Sequence, residues 1–456
     1  MKLSKAPPSI PHYRGKSMLT VRLPRETRDW THGGLKSIAK DGDDLDVLVS
    51  CLSRLNDNQA WRWPKRRHFF FSDLHGDPDA FAASLVASGG VKKTGPKPCD
   101  FVLTQEGKKA NFVIGGDCFD KGVSSLGLIR TIRHLIEQGA RVWVLAGNHD
   151  VRVLFGMAVV GPDKDTHNEH FFIRTGQKII PLLKEIWDDH LAGGSKLKGV
   201  PGLKECRRRL FPSEDWFDAF PALAEGTMRP AQIKRELRGI RTKQNRFEKL
   251  CAEQGLSLRH VYAAVSKWKK LFLTPSGEYA WFYKRMRLGY RTGSFLFVHA
   301  GLDNVVARRL YQTGIKELNR DFRLALKGKP FDFYYGSLCN TIRTKYRPVD
   351  LPFTEKGARH VRHAGISAVI HGHRNLHYGQ RLAGRRTMLS FECDASLDSH
   401  TRAKEKVRGR GAAVTIVDPQ GCILGVSSDY PYVKVFDPEV TLRELKKGRR
   451  KLRQIS

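Results

Sequence analysis

The sequence predicts an α/β protein built on a parallel sheet, with its chemistry at the carboxyl edge of the strands. The central observation is FVIGGDCFDKG (112–122), an apolar run that ends in two glycines and then presents Asp117 and Asp120. Upstream, FFFSDLHGD (69–77) ends an apolar run in Asp73 and His75, and downstream VWVLAGNHD (142–150) ends one in Asn148 and His149. Open α/β sheets place ligands outside the carboxyl ends of their strands, and glycine lets the backbone turn sharply there.

In chain order, residues 1–65 carry Pro, Gly and mixed charge, with one helix expected around 44–56. They read as an N-terminal extension whose Trp61 and Trp63 anchor it to the main domain. The sheet begins at His68–Ser72, behind the Lys65, Arg66, Arg67 cluster. DPDAFAASLVASGGV (77–91) reads as a helix stopped by Gly89 and Gly90, and 92–110 as a hairpin or loop insert. SSLGLIRTIRHLIEQGA (124–140) has apolar residues at helical spacing and serves as the crossover helix. Strand, helix, strand, helix, strand gives βαβ units.

Residues 151–290 are longer than a connection within a compact domain requires. Their three-to-four spacing predicts a helical cap interrupting a catalytic domain that spans 66–436. The expected helix around 231–250 is strongly basic, with Lys234, Arg235, Arg238, Arg241, Lys243, Arg246 and Lys249. Strands return at SFLFVHAGLD (294–303), ending in His299, and at GISAVIHGHRN (365–375), ending in His371 and His373. A helix is expected near 303–312, and FDFYYG (331–336) is an aromatic stretch. MLSFECDASLD (388–398), GAAVTIVDPQGCILGVSS (411–428) and YVKVF (432–436) read as further strands, the middle pair joined by an Asp-Pro-Gln-Gly turn. The remainder, 437–456, is a basic tail, a helix or a frayed end.

Of the 456 residues 40% are hydrophobic and 28% charged, which excludes wholesale disorder. No stretch is apolar for long enough to span a membrane, and residues 1–16 lack the apolar core of a secretory signal. Cys51, Cys99, Cys118, Cys206, Cys251, Cys339, Cys393 and Cys422 form no CxxC pair, so reduced thiols and a cytoplasmic location are expected. Lys and Arg number 80 against 46 Asp and Glu, a net +34. That field attracts polyanions, and leaves nucleic acid or an acidic partner open through the insert and tail. A generally basic, solvated surface explains the excess equally well.

Asp73, His75, Asp117, Asn148, His299 and His373 each stand at or just after a predicted strand end. Two divalent ions about 3.5–4 Å apart need a carboxylate able to bridge, neutral imidazoles and a carbonyl-type oxygen. This set offers all three. Nitrogen and oxygen donors without thiolate suit manganese, iron, zinc or nickel.

DLHGD, GGDCFDKG, GNHD, VHAGL and HGH resemble the ordered motifs of the calcineurin-like metallophosphoesterases, above all the phosphoprotein phosphatases and the symmetrical diadenosine tetraphosphatases. The resemblance runs over about 66–430, interrupted by the insert. It implies a four-layer αββα sandwich with a dimetal site at one edge. It also implies that Asp73 and His75 bind the first metal, that Asp117 bridges, and that Asn148, His299 and His373 bind the second. His149 would be the general acid, oriented and kept protonated by Asp120, and a metal-bridging hydroxide would attack phosphorus in line.

Three departures stand out. Lys121 replaces the arginine of GDxxDRG and offers a point charge without a bidentate fork. Ser72 precedes the first aspartate where that branch has glycine. His371 is left as a supporting or core residue beside His373. Arg152, just after GNHD, is placed either on substrate phosphate or in a surface salt bridge. The reading favoured is a phosphomonoesterase of the serine/threonine phosphatase type, acting on phosphoprotein. The alternatives are a nucleotide or dinucleoside polyphosphate hydrolase, a phosphodiesterase or nuclease, and a non-catalytic polyanion-binding scaffold.

Overall fold

The fold is that of a computed structural model, which describes residues 9–193 and 197–453. The expected absence of a leader concerns in part residues 1–8, and the tail ends in 454–456; both stretches lie outside the described residues. The strands of the first half are β1 (Thr27–Asp29), β2 (His68–Phe71), β3 (Val91–Lys93), β4 (Phe101–Leu103), β5 (Asn111–Ile114), β6 (Arg141–Leu145), β7 (Met286–Arg287) and β8 (Gly289–Thr292). The second half adds β9 (Phe295–Val298), β10 (Ala368–His371), β11 (Arg381–Arg385), β12 (Met388–Glu392), β13 (Ala413–Asp418), β14 (Cys422–Ser427) and β15 (Val433–Phe436).

An eight-stranded mixed sheet has the order β1-β15-β14-β13-β2-β5-β6-β7, and a five-stranded sheet the order β11-β12-β10-β9-β8. The central strands β2, β5, β9 and β10 are buried on both faces, and alternate side chains explain why. Phe70, Val113 and Leu145 of the first sheet meet Phe295, Phe297, Ile370 and Phe391 of the second in an inter-sheet core. The rings of Phe70 and Phe297 lie 5.6 Å apart across it. Phe69, Phe71, Phe112, Ile114, Leu296, Val298 and Val369 point the other way, into the helix-covered outer layers. This is the expected central sandwich flanked by helices.

The register aligns the site. β2, β5 and β6 are parallel, with Phe71 opposite Ile114 and Ile114 opposite Val144. β9 and β10 are parallel too, with Phe297 opposite Ile370. The residues following these five strands therefore emerge along one edge of the sandwich.

Both flanking stretches are built into the sandwich. β1 extends the large sheet by pairing with β15. Trp30 meets Phe391 edge-on at 5.2 Å, and Leu48, Leu52 and Leu55 of the helix Leu45–Asp57 join the inter-sheet core. Trp61 and Trp63 stack at 5.6 Å, and Trp63 lies 5.0 Å from Phe295, as anchors should. The basic tail is helical, Pro438–Arg453, with Leu445 buried, so its beginning is not frayed. The aromatic stretch is the short helix Pro330–Tyr335, and 92–110 forms the β3–β4 hairpin and a helical turn.

Residues 151–290 are helical up to Arg285, with Ile180–His190, Leu203–Leu210, Glu214–Leu223, Pro230–Ala252, Leu258–Phe272 and Ala280–Arg285 as the main pieces. The last residues of that stretch are strands β7 and the start of β8. Phe119, inside GGDCFDKG, packs against Phe272 and Phe282 at 5.7 and 5.5 Å, so the cap braces the site loop. Among the described residues, no helix is long and apolar enough to cross a membrane.

Candidate metal centre

The loop residues at the sandwich edge adopt a backbone that ordinary side chains avoid. Asp73, His75, Asp117, Asp120, Lys121 and His373 all have positive φ, between 43° and 68°. Such strain costs of order 1–3 kcal/mol per residue and persists only where neighbours enforce it. Here interlocking hydrogen bonds do. His75 N donates to the Asp117 carbonyl at 2.8 Å, and Asp73 N to that of Gly116 at 3.2 Å. His149 N donates to Asp117 Oδ1 at 2.8 Å, and His373 N to Asp73 Oδ2 at 2.9 Å. Ser72 Oγ also donates to Asp73 Oδ2. Gly372 is required at its position, because a Cβ would overlap Ser72 Oγ and Asp73 Oδ2.

The side chains form two groups that share one carboxylate. Donor atoms of Asp73, Asp117, His299 and His373 lie within 4.8 Å of one another, as do those of His75, Asp117 and His149. Asp117 Oδ1 is 3.4 Å from His299 Nε2, while its Oδ2 is 3.8 Å from His75 Nε2 and 3.9 Å from His149 Nε2. Asn148 Oδ1 lies 3.2 Å from His299 Nε2. All six sequence-predicted ligands are thus brought together.

These residues fit a pair of cations. His75, His299 and His373 each place one ring nitrogen on a backbone carbonyl, of Phe119, Gly115 and Arg343 at 3.3, 2.8 and 2.9 Å, leaving the other for the cluster. Metal-binding histidines are oriented in this way. The donors set one another's charge. Against burial, Asp117 and Asp73 hold His299 at about 10, while burial and the nearby Asp117 push Asp73 up. Against burial, His299 and His149 hold Asp117 well below the usual carboxylate range. Burial, then Lys121, lowers His75, and burial, then His299, lowers His373.

A consequence is measurable. His299 carries its proton below about 10 and must lose it to ligate, so filling the site releases protons and affinity rises with pH through neutrality. Calorimetric titration with Mn²⁺ at pH 7, in two buffers of different ionisation enthalpy, should show about one proton or more released. Zero net release would contradict this account of the charge.

Beside the cluster, His149 Nδ1 lies 2.9 Å from Asp120 Oδ2, and Arg152 Nη2 donates to the same oxygen at 2.6 Å. Arg152 is therefore not in a surface salt bridge; it is a half-buried partner of Asp120. Burial, then Arg152, lowers His149 to about 4, outweighing Asp117 and Asp120. Lys121 Nζ lies 2.7 Å from His75 Nε2. His371 is buried outside both donor groups.

Two buried carboxylates escaped the sequence reading. Asp150 accepts from the backbone N–H groups of Gly147, Asp117 and Cys118 at 2.9, 2.9 and 2.7 Å, tying the GNHD turn to the Asp117 loop. Its place in the first turn of the helix Asn148–Ala158 was the available signal, since an acid there reaches back to the N-cap. Burial and Asp117 raise it to about 7. Asp394 follows β12 at the same edge, and burial together with Asp73 holds it well above the usual range. Its strand-end position matches that of the ligands.

Comparison with known proteins bears on this geometry. Residues 67–235 match the family model described as calcineurin-like phosphoesterase. The match ends before His299 and His373, which the fold carries to the same edge. No curated protein matches the chain. Among solved structures, the chain is similar to a cold-active protein-tyrosine phosphatase of a psychrophile, Shewanella sp., at 13% identity and TM-score 0.42, over 81% of this chain and 80% of that one. It is also similar to a protein serine/threonine phosphatase from Saccharomyces cerevisiae, at 10% identity and TM-score 0.37, over 87% of this chain and 90% of that one. Residues 67–235 thus resemble the calcineurin-like phosphoesterases, and that stretch contains Asp73, His75, Asp117, Asp120, Asn148 and His149 of the site.

Proposed function

We propose that this site hydrolyses phosphate monoesters of the kind carried by phosphoserine and phosphothreonine in proteins. The observation that carries the reading is the position of Asp117, whose two oxygens face opposite donor groups while the His149–Asp120 pair stands alongside. Two divalent ions, when bound, supply Lewis-acid stabilisation of the phosphoryl charge and an activated water for in-line displacement. Asp73 and His75, whose Oδ1 and Nε2 lie 3.9 Å apart, would hold one, and Asn148, His299 and His373 the other, with Asp117 between them; Asp73 also lies within reach of the His299–His373 group. Manganese is the first ion to test, in keeping with nitrogen and oxygen donors.

The chain's own groups do the rest. Arg152 and Lys121 face the incoming phosphate. Its negative charge offsets the two cations, and Asp117 and Asp120 then favour the imidazolium of His149. His149 can in this way donate a proton to the leaving oxygen, which departs poorly as an alkoxide. Asp120 fixes the ring through Nδ1, leaving Nε2 toward the reacting groups. All eight cysteines are unbridged, in keeping with a reducing, cytoplasmic setting.

Manganese-dependent turnover of p-nitrophenyl phosphate beside bis-p-nitrophenyl phosphate tests the reading. Monoester turnover is expected to exceed diester turnover. A preference for the diester would replace this reading with a phosphodiesterase.

A further inference from the structure

The helical cap brings further cations to the metal edge, outside both donor groups. Lys178 lies in the turn Gly176–Ile179 and Lys243 on the helix Pro230–Ala252, and both residues reach solvent. A chain of contacts leads from the site to Lys243, and Lys178 lies two residues beyond Gly176, against which Lys243 packs. The Arg343 carbonyl accepts from His373, and the Arg343 guanidinium lies 4.9 Å from the Tyr334 ring centre. Arg174 lies 4.1 Å from the same ring and donates to Tyr334 Oη at 3.0 Å. Lys243 Nζ donates to the Arg174 carbonyl at 2.7 Å, its methylenes running beside Gly176.

Acids here are already taken, Asp120 by Arg152 and Glu236 by Arg174. Lys178 and Lys243 have no ion-pair partner among the described residues. Crowding by the surrounding protein, then the repulsion of Arg152 and Lys121, lowers Lys178 to about 8. The same crowding, then Arg174, Arg152 and Lys178, lowers Lys243 to about 8. Along the same helix Lys234, Arg235, Arg238, Arg246 and Lys249 are exposed and likewise without an ion pair among the described residues. At about 1.5 Å per residue, the stretch from Lys234 to Lys249 forms a basic ridge about 23 Å long. A ridge of that length suits an extended anion better than a small one. Tyr334 already carries two guanidinium groups and Tyr335 lies beside one of them, so recognition here runs on charge and not on base stacking.

We propose that Lys178 and Lys243 form a subsite for acidic side chains beside the scissile phosphate, and that the preferred substrates are phosphorylated peptides with Asp or Glu flanking the phosphorylated residue. The proposal rests on the phosphomonoesterase reading above. The test uses two phosphothreonine peptides that differ only in Glu or Gln flanks, with the full manganese-loaded chain and its Lys178→Ala/Lys243→Ala variant. The Glu peptide should show kcat/KM about tenfold higher, carried by KM and shrinking with salt. In the variant the ratio should fall to about two or less.

Equal kcat/KM for the two peptides, or a ratio unchanged in the variant, overturns the proposal. So does faster turnover of a nucleoside triphosphate or a 5′-phosphorylated oligonucleotide than of the Glu peptide. p-Nitrophenyl phosphate separates the two levels. If it is turned over while the peptides are not distinguished, the subsite fails and the phosphomonoesterase reading stands. If it is not turned over, that reading fails, and fluorescence anisotropy of the two labelled peptides decides the subsite by binding alone.

Discussion

Asp117→Asn is expected to abolish hydrolysis, by at least about 10³-fold, and to weaken metal binding in both donor groups at once. The side chain is buried, with Oδ1 toward His299 and Oδ2 toward His75 and His149. An amide keeps the shape but presents one neutral oxygen, so one group loses its shared anionic donor entirely and the other is weakened. Losing about 4 kcal/mol of charge stabilisation corresponds to three decades of rate. The fold should survive, because an amide oxygen can still accept from His149 N. Metal content by mass spectrometry of the purified variant, with circular dichroism as the control on folding, separates the effects. A folded Asp117→Asn variant that retains both metals and its activity would show that hydrolysis arises elsewhere.

His149→Ala should leave metal content intact and lower kcat by about 10²–10⁴-fold, the usual worth of a positioned proton donor. The loss should depend on the leaving group. p-Nitrophenolate departs with little help from a proton, whereas the alkoxide of serine or threonine needs one, so the phosphopeptide should suffer the larger loss. Asp120→Asn should reproduce a smaller part of that difference, because Asp120 acts only through the His149 ring and Arg152. Comparing kcat for p-nitrophenyl phosphate and a phosphothreonine peptide in each variant makes the measurement. Identical losses on both substrates would remove His149 from the role of acid and leave it a structural neighbour of Asp117.

Much of this site was legible in the sequence because its ligands follow strands of alternating buried residues. FFF, FVI, VLA, FLFV and AVI each end in the same punctuation, a polar donor within a few residues of the last core side chain. The charge state of the site was not legible. The pairing of Arg152 with Asp120 spans a helix start and a loop, and the downward push on His149 comes first from its burial and then from Arg152. Asp150 was hidden for a similar reason, since its partners are backbone N–H groups of another loop, which leave no trace in residue identity.

By itself the sequence determined the α/β class, the helical character of most of 151–290 and the six donors at strand ends that are candidates for metal binding. Each is encoded by local chemistry: apolar periodicity, glycine where the backbone must turn, and donor type. Only the tertiary structure decided that β1 and the two terminal helices complete the sandwich, and that Lys178 and Lys243 reach the catalytic edge. It alone also decided which oxygens of Asp117 face which histidines. These depend on packing between segments far apart in the chain, where distance and burial, not residue type, set the strength of every charge.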